Sequence, residues 1–265
     1  MPSIPTAHAG IHHEDRGSGP ALLLVHGHPF DHTMWRPQID RFSRTHRVVA
    51  PDLRGYGATP LGAGTARTGL DDFAEDLVGL LDALGIEECV LAGLSMGGQI
   101  AMELYRRHPG RVRGLVLADT FPAAETEDGR KARNAMADRL LAEGMRGYAD
   151  EVLDRMVAPY NPHAAGHVHR MMCATDPVAA AAALRGRAER PDYRETLTAV
   201  AVPALVVVGR DDTYTPVADA EEMHALLPDS TLVVVERAAH LPNLERPEEF
   251  DAALDRFLRS LDRPS

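Results

Sequence analysis

Cysteine is scarce in this chain, with only Cys89 and Cys173 among 265 residues. Two cysteines exclude a disulfide scaffold. Cys89 lies in the apolar run Cys89-Val90-Leu91-Ala92, and both residues are expected as free thiols in a reducing cytoplasm. Long hydrophobic runs are missing too. The longest, such as Ala21-Leu22-Leu23-Leu24-Val25, are strand-sized and fall short of the ~20 apolar residues that span a bilayer. Residues 1–10 show no basic region followed by an apolar stretch, so neither a membrane segment nor a secretory signal is expected. Positive charge is in deficit, with 28 basic against 39 acidic residues and a formal net charge of −11. That excess argues against a nucleic-acid partner, whose binding rests on cationic contacts to phosphates, although the charge of any one pocket can oppose it. What the chain does have is 45% hydrophobic content. A chain this long can bury roughly 70–75% of its surface without help from metals or disulfides.

The apolar residues fall into short runs separated by helix-like stretches. Strands are expected at 11–16, 21–26, 48–50, 88–93, 115–118, 204–208 and 231–236, and helices at 68–84, 96–108, 217–227 and 247–261. In the first helix Leu70, Phe73, Leu77, Leu80, Leu81 and Leu84 share one face at helical spacing. Strands apolar throughout, alternating with helices, imply a mostly parallel sheet covered on both faces. The alternation breaks once. From about 122 to 198 no strand is expected, and Met136, Leu140, Leu141, Met145, Tyr148, Val152, Leu153, Met156 and the alanine run 179–183 are helix-forming material. Lying between two core strands, this segment is an insertion expected to pack over one edge of the sheet.

Gly93-Leu94-Ser95-Met96-Gly97-Gly98 joins an expected strand to an expected helix. In that context Gly-x-Ser-x-Gly describes a nucleophile elbow. The chain reverses so sharply that the residues two before and two after the serine must be small, as Gly93 and Gly97 are. The turn lifts the Ser95 hydroxyl clear of the sheet and aims the Met96 amide at a helix N-terminus, where negative charge is favoured. A phosphate-binding loop would need Gly-Lys-Ser/Thr, and no lysine stands here.

A serine hydroxyl needs a base within reach, and the base needs an orienting carboxylate. In this architecture their chain order is Ser, then Asp or Glu, then His. Of 13 histidines, His240 alone lies late in the chain on a loop at the carboxyl end of a strand, where parallel sheets place their sites. His224 falls on a helix, His108 precedes a helix-stopping proline, and His163, His167 and His169 belong to the insertion. The acid is sought in Gly209-Arg210-Asp211-Asp212-Thr213-Tyr214-Thr215-Pro216. Asp212 suits the loop better, Asp211 is its alternative, and Asp119, after an earlier strand, is a further one.

Attack on a carbonyl makes an oxyanion that two amide donors usually hold. Met96 N–H is one. The other is expected from His26-Gly27-His28-Pro29-Phe30, where Gly27 lets the backbone bend toward the site and His28 N–H is the choice. The cluster His26, His28 and His32 invites a metal reading, but only Asp31 adds a carboxylate nearby, a thin ligand set. A serine mechanism requires no metal, and neither metal nor cofactor is expected.

Together these segments, with Asp52-Leu53-Arg54-Gly55-Tyr56-Gly57 and Ala239-His240-Leu241-Pro242-Asn243, resemble the α/β-hydrolase family over nearly the whole chain. Gly-Leu-Ser-Met-Gly-Gly and His-Leu-Pro-Asn-Leu-Glu-Arg-Pro are most similar to 3-oxoadipate enol-lactonases and related esterases. The resemblance implies an α/β-hydrolase core over 1–121 and 199–265 and a helical cap over 122–198. It also implies a nucleophile at Ser95, an acid at Asp212, a base at His240, and a small-molecule ester or lactone as substrate. Dehalogenases and epoxide hydrolases carry aspartate where Ser95 stands. Carbon–carbon bond hydrolases and cofactor-free haloperoxidases keep the serine and remain alternatives, as does a ligand-binding or cyclase member that has lost hydrolysis. A substrate bearing a carboxylate would need a nearby cation, for which Arg133, Arg139, Arg170 and Arg185 are candidates by lying in the insertion. Met136, Met145, Met156, Met171 and Met172 suit either an apolar pocket or the packing of the cap. A homo-oligomer is left open.

Overall fold

The computed structural model describes residues 3–5 and 10–261. Eight strands run along this part of the chain: β1 (Ser3–Pro5), β2 (Gly10–Arg16), β3 (Ala21–Val25), β4 (Arg47–Pro51), β5 (Cys89–Leu94), β6 (Val112–Ala118), β7 (Ala204–Gly209) and β8 (Ser230–Val235). They form one sheet in the order β1-β2-β4-β3-β5-β6-β7-β8. The β1–β2 and β2–β4 pairs are antiparallel and the remainder parallel. The chain goes from β3 to β4 on one side and then to β5 on the other. The strand order therefore reverses between β3 and β5, where open sheets of this kind leave a crevice at the carboxyl ends.

Successive strand residues face opposite sides, and here both sides are covered. Leu23, Val25, Leu91, Leu115, Leu117, Val206 and Val208 pack on one face with Phe73, Leu77, Leu80 and Leu81 of α2 (Leu70–Ala83), Ile100 and Leu104 of α3 (Met96–Arg107) and Met223. Leu22, Leu24, Val90, Ala92, Val116, Leu205 and Val207 pack on the other with Ile39 and Phe42 and with Phe250, Leu254 and Phe257. Double coverage is why these strands read as unbroken apolar runs.

Most expected elements occur within a residue or two. β6 starts three residues earlier than the apolar run, because Gly114 belongs to it. A Cβ there would lie 2.7 Å from Leu261 Cδ1, so the bare backbone makes room for the C-terminal helix. The helix Arg36–Phe42 and the edge strand β1 carry too little pattern to be read from sequence.

No strand interrupts residues 122–198. In chain order, with Arg36–Phe42 as α1, the helices there are α4 (Glu127–Glu143), α5 (Met145–Met156), α6 (Pro162–Ala174), α7 (Pro177–Arg187) and α8 (Arg194–Thr198). Thr126 and Asp176 cap α4 and α7 by accepting from Gly129 N and Val178 N. Ala137 and Leu140 of α4 meet Ala180, Ala181 and Leu184 of α7. The alanine run lets α7 lie hard against the core: Thr68 N donates to Ala182 O at 3.0 Å, and a Cβ on Gly186 would sit 1.7 Å from Thr68 O. Leu197 of α8 joins the core layer of α2 and α3. The described chain closes with α9 (Val217–Leu226), α10 (Pro242–Glu245) and α11 (Pro247–Leu261). None of the described helices is long and apolar enough to cross a membrane, and both cysteines are free.

Candidate active site

The elbow forms as its glycines require. Ser95 joins β5 to α3 with φ 55° and ψ −117°, a conformation that side chains rarely adopt and that surrounding structure must hold. A Cβ on Gly93 would come 2.1 Å from Gly97 O, and one on Gly97 would come 2.2 Å from Val25 O. Both glycines are therefore steric necessities. Ser95 N donates to Ala118 O at 2.9 Å, and the Thr120 hydroxyl donates to Ser95 O at 2.8 Å. The turn is thus tied on both sides of the serine.

Asp212 follows β7 and His240 follows β8. His240 Nδ1 lies 2.7 Å from Asp212 Oδ2, with both side chains buried. Asp212 also accepts from Tyr214 N at 2.7 Å, from Thr215 N at 3.2 Å and from the Thr215 hydroxyl. Burial alone would raise its pKa, but the His240 charge and these hydrogen bonds outweigh burial and leave Asp212 below the ordinary carboxylate value. A carboxylate on Nδ1 places the imidazole proton there and leaves Nε2 as the basic nitrogen. Asp211 is exposed and takes the Tyr160 hydroxyl instead. Asp119 lies against the pair, its carboxylate atoms within 4.8 Å of theirs. Burial and then the Asp212 charge push its pKa well up, and it accepts from Gly209 N at 2.9 Å. Of the three aspartates weighed from sequence, only Asp212 contacts His240.

Glu245 escaped sequence reasoning. Its buried carboxylate accepts from Ala239 N (2.9 Å) and Leu241 N (3.2 Å) on either side of His240. Its other oxygen takes Ala158 N and Asn161 Nδ2, each at 2.9 Å, tying the His240 loop to the turn between α5 and α6. The available signal was an acid five residues after His240, in Leu241-Pro242-Asn243-Leu244-Glu245.

The loop after β3 lies against the elbow, where a Cβ on Gly27 would meet Leu94 O and Ser95 Cβ, each at 3.1 Å. The three histidines considered for a metal diverge. His26 Nε2 accepts from Leu53 N at 3.0 Å while Nδ1 contacts Gly27 O. His32 bonds Asp52 through Nδ1 at 2.7 Å. His28 Nδ1 meets the Tyr56 hydroxyl at 2.7 Å. Asp52 further accepts from His32 N and Ala58 N, each at 2.9 Å, and so latches this loop to the turn 52–58. Neither His28 N–H nor Met96 N–H donates a hydrogen bond among the described residues.

These pieces surround one cavity of about 180 Å³, lined by His28, Ser95, Phe121, Arg133, Tyr148, Met156, Leu184, Arg187, Tyr214, Thr215 and His240. Ser95 and His240 both line it, and no hydrogen bond joins their side chains. A roomier groove of about 730 Å³ by Tyr105, Pro109 and Thr196 is lined by neither serine nor histidine. Among the methionines, Met156 reaches the cavity, while Met145, Met171 and Met172 are packed in the interior. Among the arginines, Arg133 reaches it. Arg139 pairs with Glu143 and Glu151, and Arg185 with Asp138, all outside. Arg187, not among the four, is 8% exposed and lines the cavity. Its signal was position: Ala180, Leu184 and Arg187 share the inward face of α7 at helical spacing.

Known proteins bear the same frame. Residues 22–253 match the model of the alpha/beta hydrolase family. The chain is 30% identical to 3-oxoadipate enol-lactonase 1 of Acinetobacter baylyi over 250 residues, covering 92% of this chain and 90% of that one. It is 29% identical to the pimeloyl-[acyl-carrier protein] methyl ester esterase of Aeromonas hydrophila, covering 91% and 96%. Among solved structures, a thermophilic esterase from Thermogutta terrifontis, determined with malate bound, superposes with a TM-score of 0.95 at 35% identity over 98% of both chains. The elbow, the sheet that carries it and these likenesses together make this chain a member of the alpha/beta hydrolase family.

Proposed function

We propose that this protein is a serine hydrolase that cleaves a small carboxylic ester or lactone through an acyl-Ser95 intermediate. The observation that carries the reading is the buried 2.7 Å contact between Asp212 and His240 Nδ1, with His240 and Ser95 on the wall of one cavity. Ser95 Oγ attacks the substrate carbonyl and gives its proton to His240 Nε2. The oxyanion is held by the unengaged N–H groups of Met96 and His28, preorganised at no cost at the moment of reaction. Collapse breaks the bond to the leaving oxygen, which takes the proton from His240. Water then adds to the acyl-enzyme, with His240 as base, and returns the acid and free Ser95. No step needs a metal or cofactor.

Residues 122–198 act as a cap whose helices α4, α5 and α7 roof the cavity through Arg133, Tyr148, Met156, Leu184 and Arg187. The cavity is small beside the ~300–1,000 Å³ of drug-sized sites, which favours a short substrate. The lactone- and ester-cleaving names of the relatives support the same bond type. Turnover of short methyl esters and lactones by the wild type, reduced to background in Ser95→Ala, tests the reading. Wild-type rates in Ser95→Ala would overturn it, and absence of turnover with all short esters and lactones would favour a non-hydrolytic binding role.

A further inference from the structure

The electrostatics of the cavity are lopsided. Arg133, Arg187 and Arg190 cluster beside it, and one carboxylate, Glu125, serves them. Glu125 pairs with Arg133 and, at 3.5 Å, with Arg190. Arg190 also donates to Ala123 O at 2.8 Å and stacks over Phe121 with its Cζ 4.5 Å from the ring centre. Arg187 has no carboxylate among the described residues. Its Nε donates to Gln99 Oε1 at 3.2 Å, and its Nη atoms have no partner there. Its surroundings are hostile to charge: burial, then Arg133 and Arg190, hold its pKa well below the usual guanidinium range.

An unpaired buried guanidinium is costly, and a bound anion would offset that cost. The adjacent group is also incomplete. His28 Nε2 is buried with no partner on the same cavity wall. Burial, then Arg187 and Arg133, keep this imidazole neutral by lowering its pKa far down. Burial likewise keeps the Tyr56 phenol protonated, so Tyr56 can donate to His28 Nδ1. We assign the tautomer from that bond, which leaves the imidazole proton on Nε2, a donor without a partner on a residue that lines the cavity. α7 holds Arg187 rigidly, since Gly186 is seated against the backbone of Thr68.

We propose that the substrate carries a free carboxylate besides its scissile ester, and that Arg187 binds it, with His28 Nε2–H as a second donor and Arg133 adding charge at the rim. A planar carboxylate matches the guanidinium fork, and it would neutralise the one cation of the cavity that the protein leaves unpaired. This deepens the serine hydrolase reading and rests on it for the bond that is cleaved. The carboxylate site itself can be tested without turnover.

The first measurement is binding of glutarate, by calorimetry and thermal shift, to the wild type, Ser95→Ala, Arg187→Met and Arg187→Lys. Glutarate should bind and raise the Tm of wild type and Ser95→Ala alike. Arg187→Met should abolish the shift, and Arg187→Lys should restore part of it. Inorganic phosphate is the control, and a larger Arg187-dependent shift with phosphate than with glutarate would overturn the carboxylate assignment. The second measurement is kcat/KM for monomethyl glutarate against methyl pentanoate, and for acetoxyacetate against 2-methoxyethyl acetate, which place the acid on the acyl or the alcohol side. At least one acid ester should be preferred over its neutral partner. Arg187→Met should cut that preference by about 10- to 150-fold, the range of one lost hydrogen bond to a charged group. A merely structural Arg187 would instead depress both esters in parallel and leave glutarate without effect on the wild type. Should Arg187→Met not fold, glutarate binding to the wild type and Ser95→Ala still decides: absence of binding there, with no acid-ester preference, overturns the proposal. Turnover of neutral esters alone would then leave the hydrolase reading standing, whereas Arg187-dependent glutarate binding with no ester turned over would spare the anion site and sink the hydrolase.

Discussion

The two walls of the cavity are built on different principles. The wall from the sheet carries Ser95, Thr215, His240 and the 26–30 loop, and there the elbow and the Asp212–His240 pair are tightly held. Asp212 accepts four hydrogen bonds, Glu245 accepts four, and the elbow glycines leave no space for a methyl group. The wall from the inserted helices carries Arg133, Tyr148, Met156, Leu184 and Arg187, and there Arg187 lacks a counter-charge. A saturated wall suits chemistry that must be preorganised, whereas an unsaturated wall suits a surface completed by a ligand. On the proposed reading, the reaction class lies with the sheet side and the choice of substrate with the helical side.

The contrast can be broken from either side. The largest effect belongs to the sheet wall: Ser95→Ala should lower kcat by about 10⁴- to 10⁶-fold while leaving the melting temperature and glutarate binding intact, as read by ester kinetics and thermal melts. Next is Gly97→Val, where the added side chain would collide with Val25 O. It should cost more than about 4 kcal/mol, seen as insoluble expression or a collapsed urea midpoint, and a normally folded, active variant would refute the steric account of the elbow. Glu245→Ala removes the acceptor shared by both walls. It should cost about 2–3 kcal/mol in urea unfolding and lower kcat more than it raises KM, because the His240 loop loosens; an effect on KM alone would place Glu245 with the substrate wall.

The smallest effect lies away from both walls, in Asp251. Burial raises its pKa to about 6, against the opposing Gln38 hydrogen bond and Arg41 charge. An acid with a raised folded pKa contributes most below its unfolded value, near 3.8, and loses that contribution as pH rises through about 6. Asp251→Asn should therefore gain about 2–4 °C in Tm over the wild type at pH 7.5 and about half of that at pH 5, midway through the window between the two pKa values. Equal differences at both pH values would contradict the raised pKa.

What could be read from sequence follows the same division. The parallel strands, the elbow and the positions of Asp212 and His240 were legible because local geometry dictates local residue types. Gly93 and Gly97 can hardly be anything else, and strands buried on both faces must be apolar. Choosing Asp212 over Asp211 rested on loop spacing, and the structure separates them by burial. Arg187 was passed over for Arg133, Arg139, Arg170 and Arg185, since helical sequence says which residues share a face but not which face meets the cavity. Glu245 was quoted only as part of a motif, because its four partners come from two segments, 239–241 and 158–161, that lie far apart in the chain.

The proposal that Ser95 is the nucleophile is tested most directly by a fluorophosphonate and intact-mass analysis. The folded wild type should gain one phosphonyl group, mapped by peptide sequencing to Ser95, and Ser95→Ala should gain none. A folded wild type that stays unlabelled, or a label on any other residue, would contradict it.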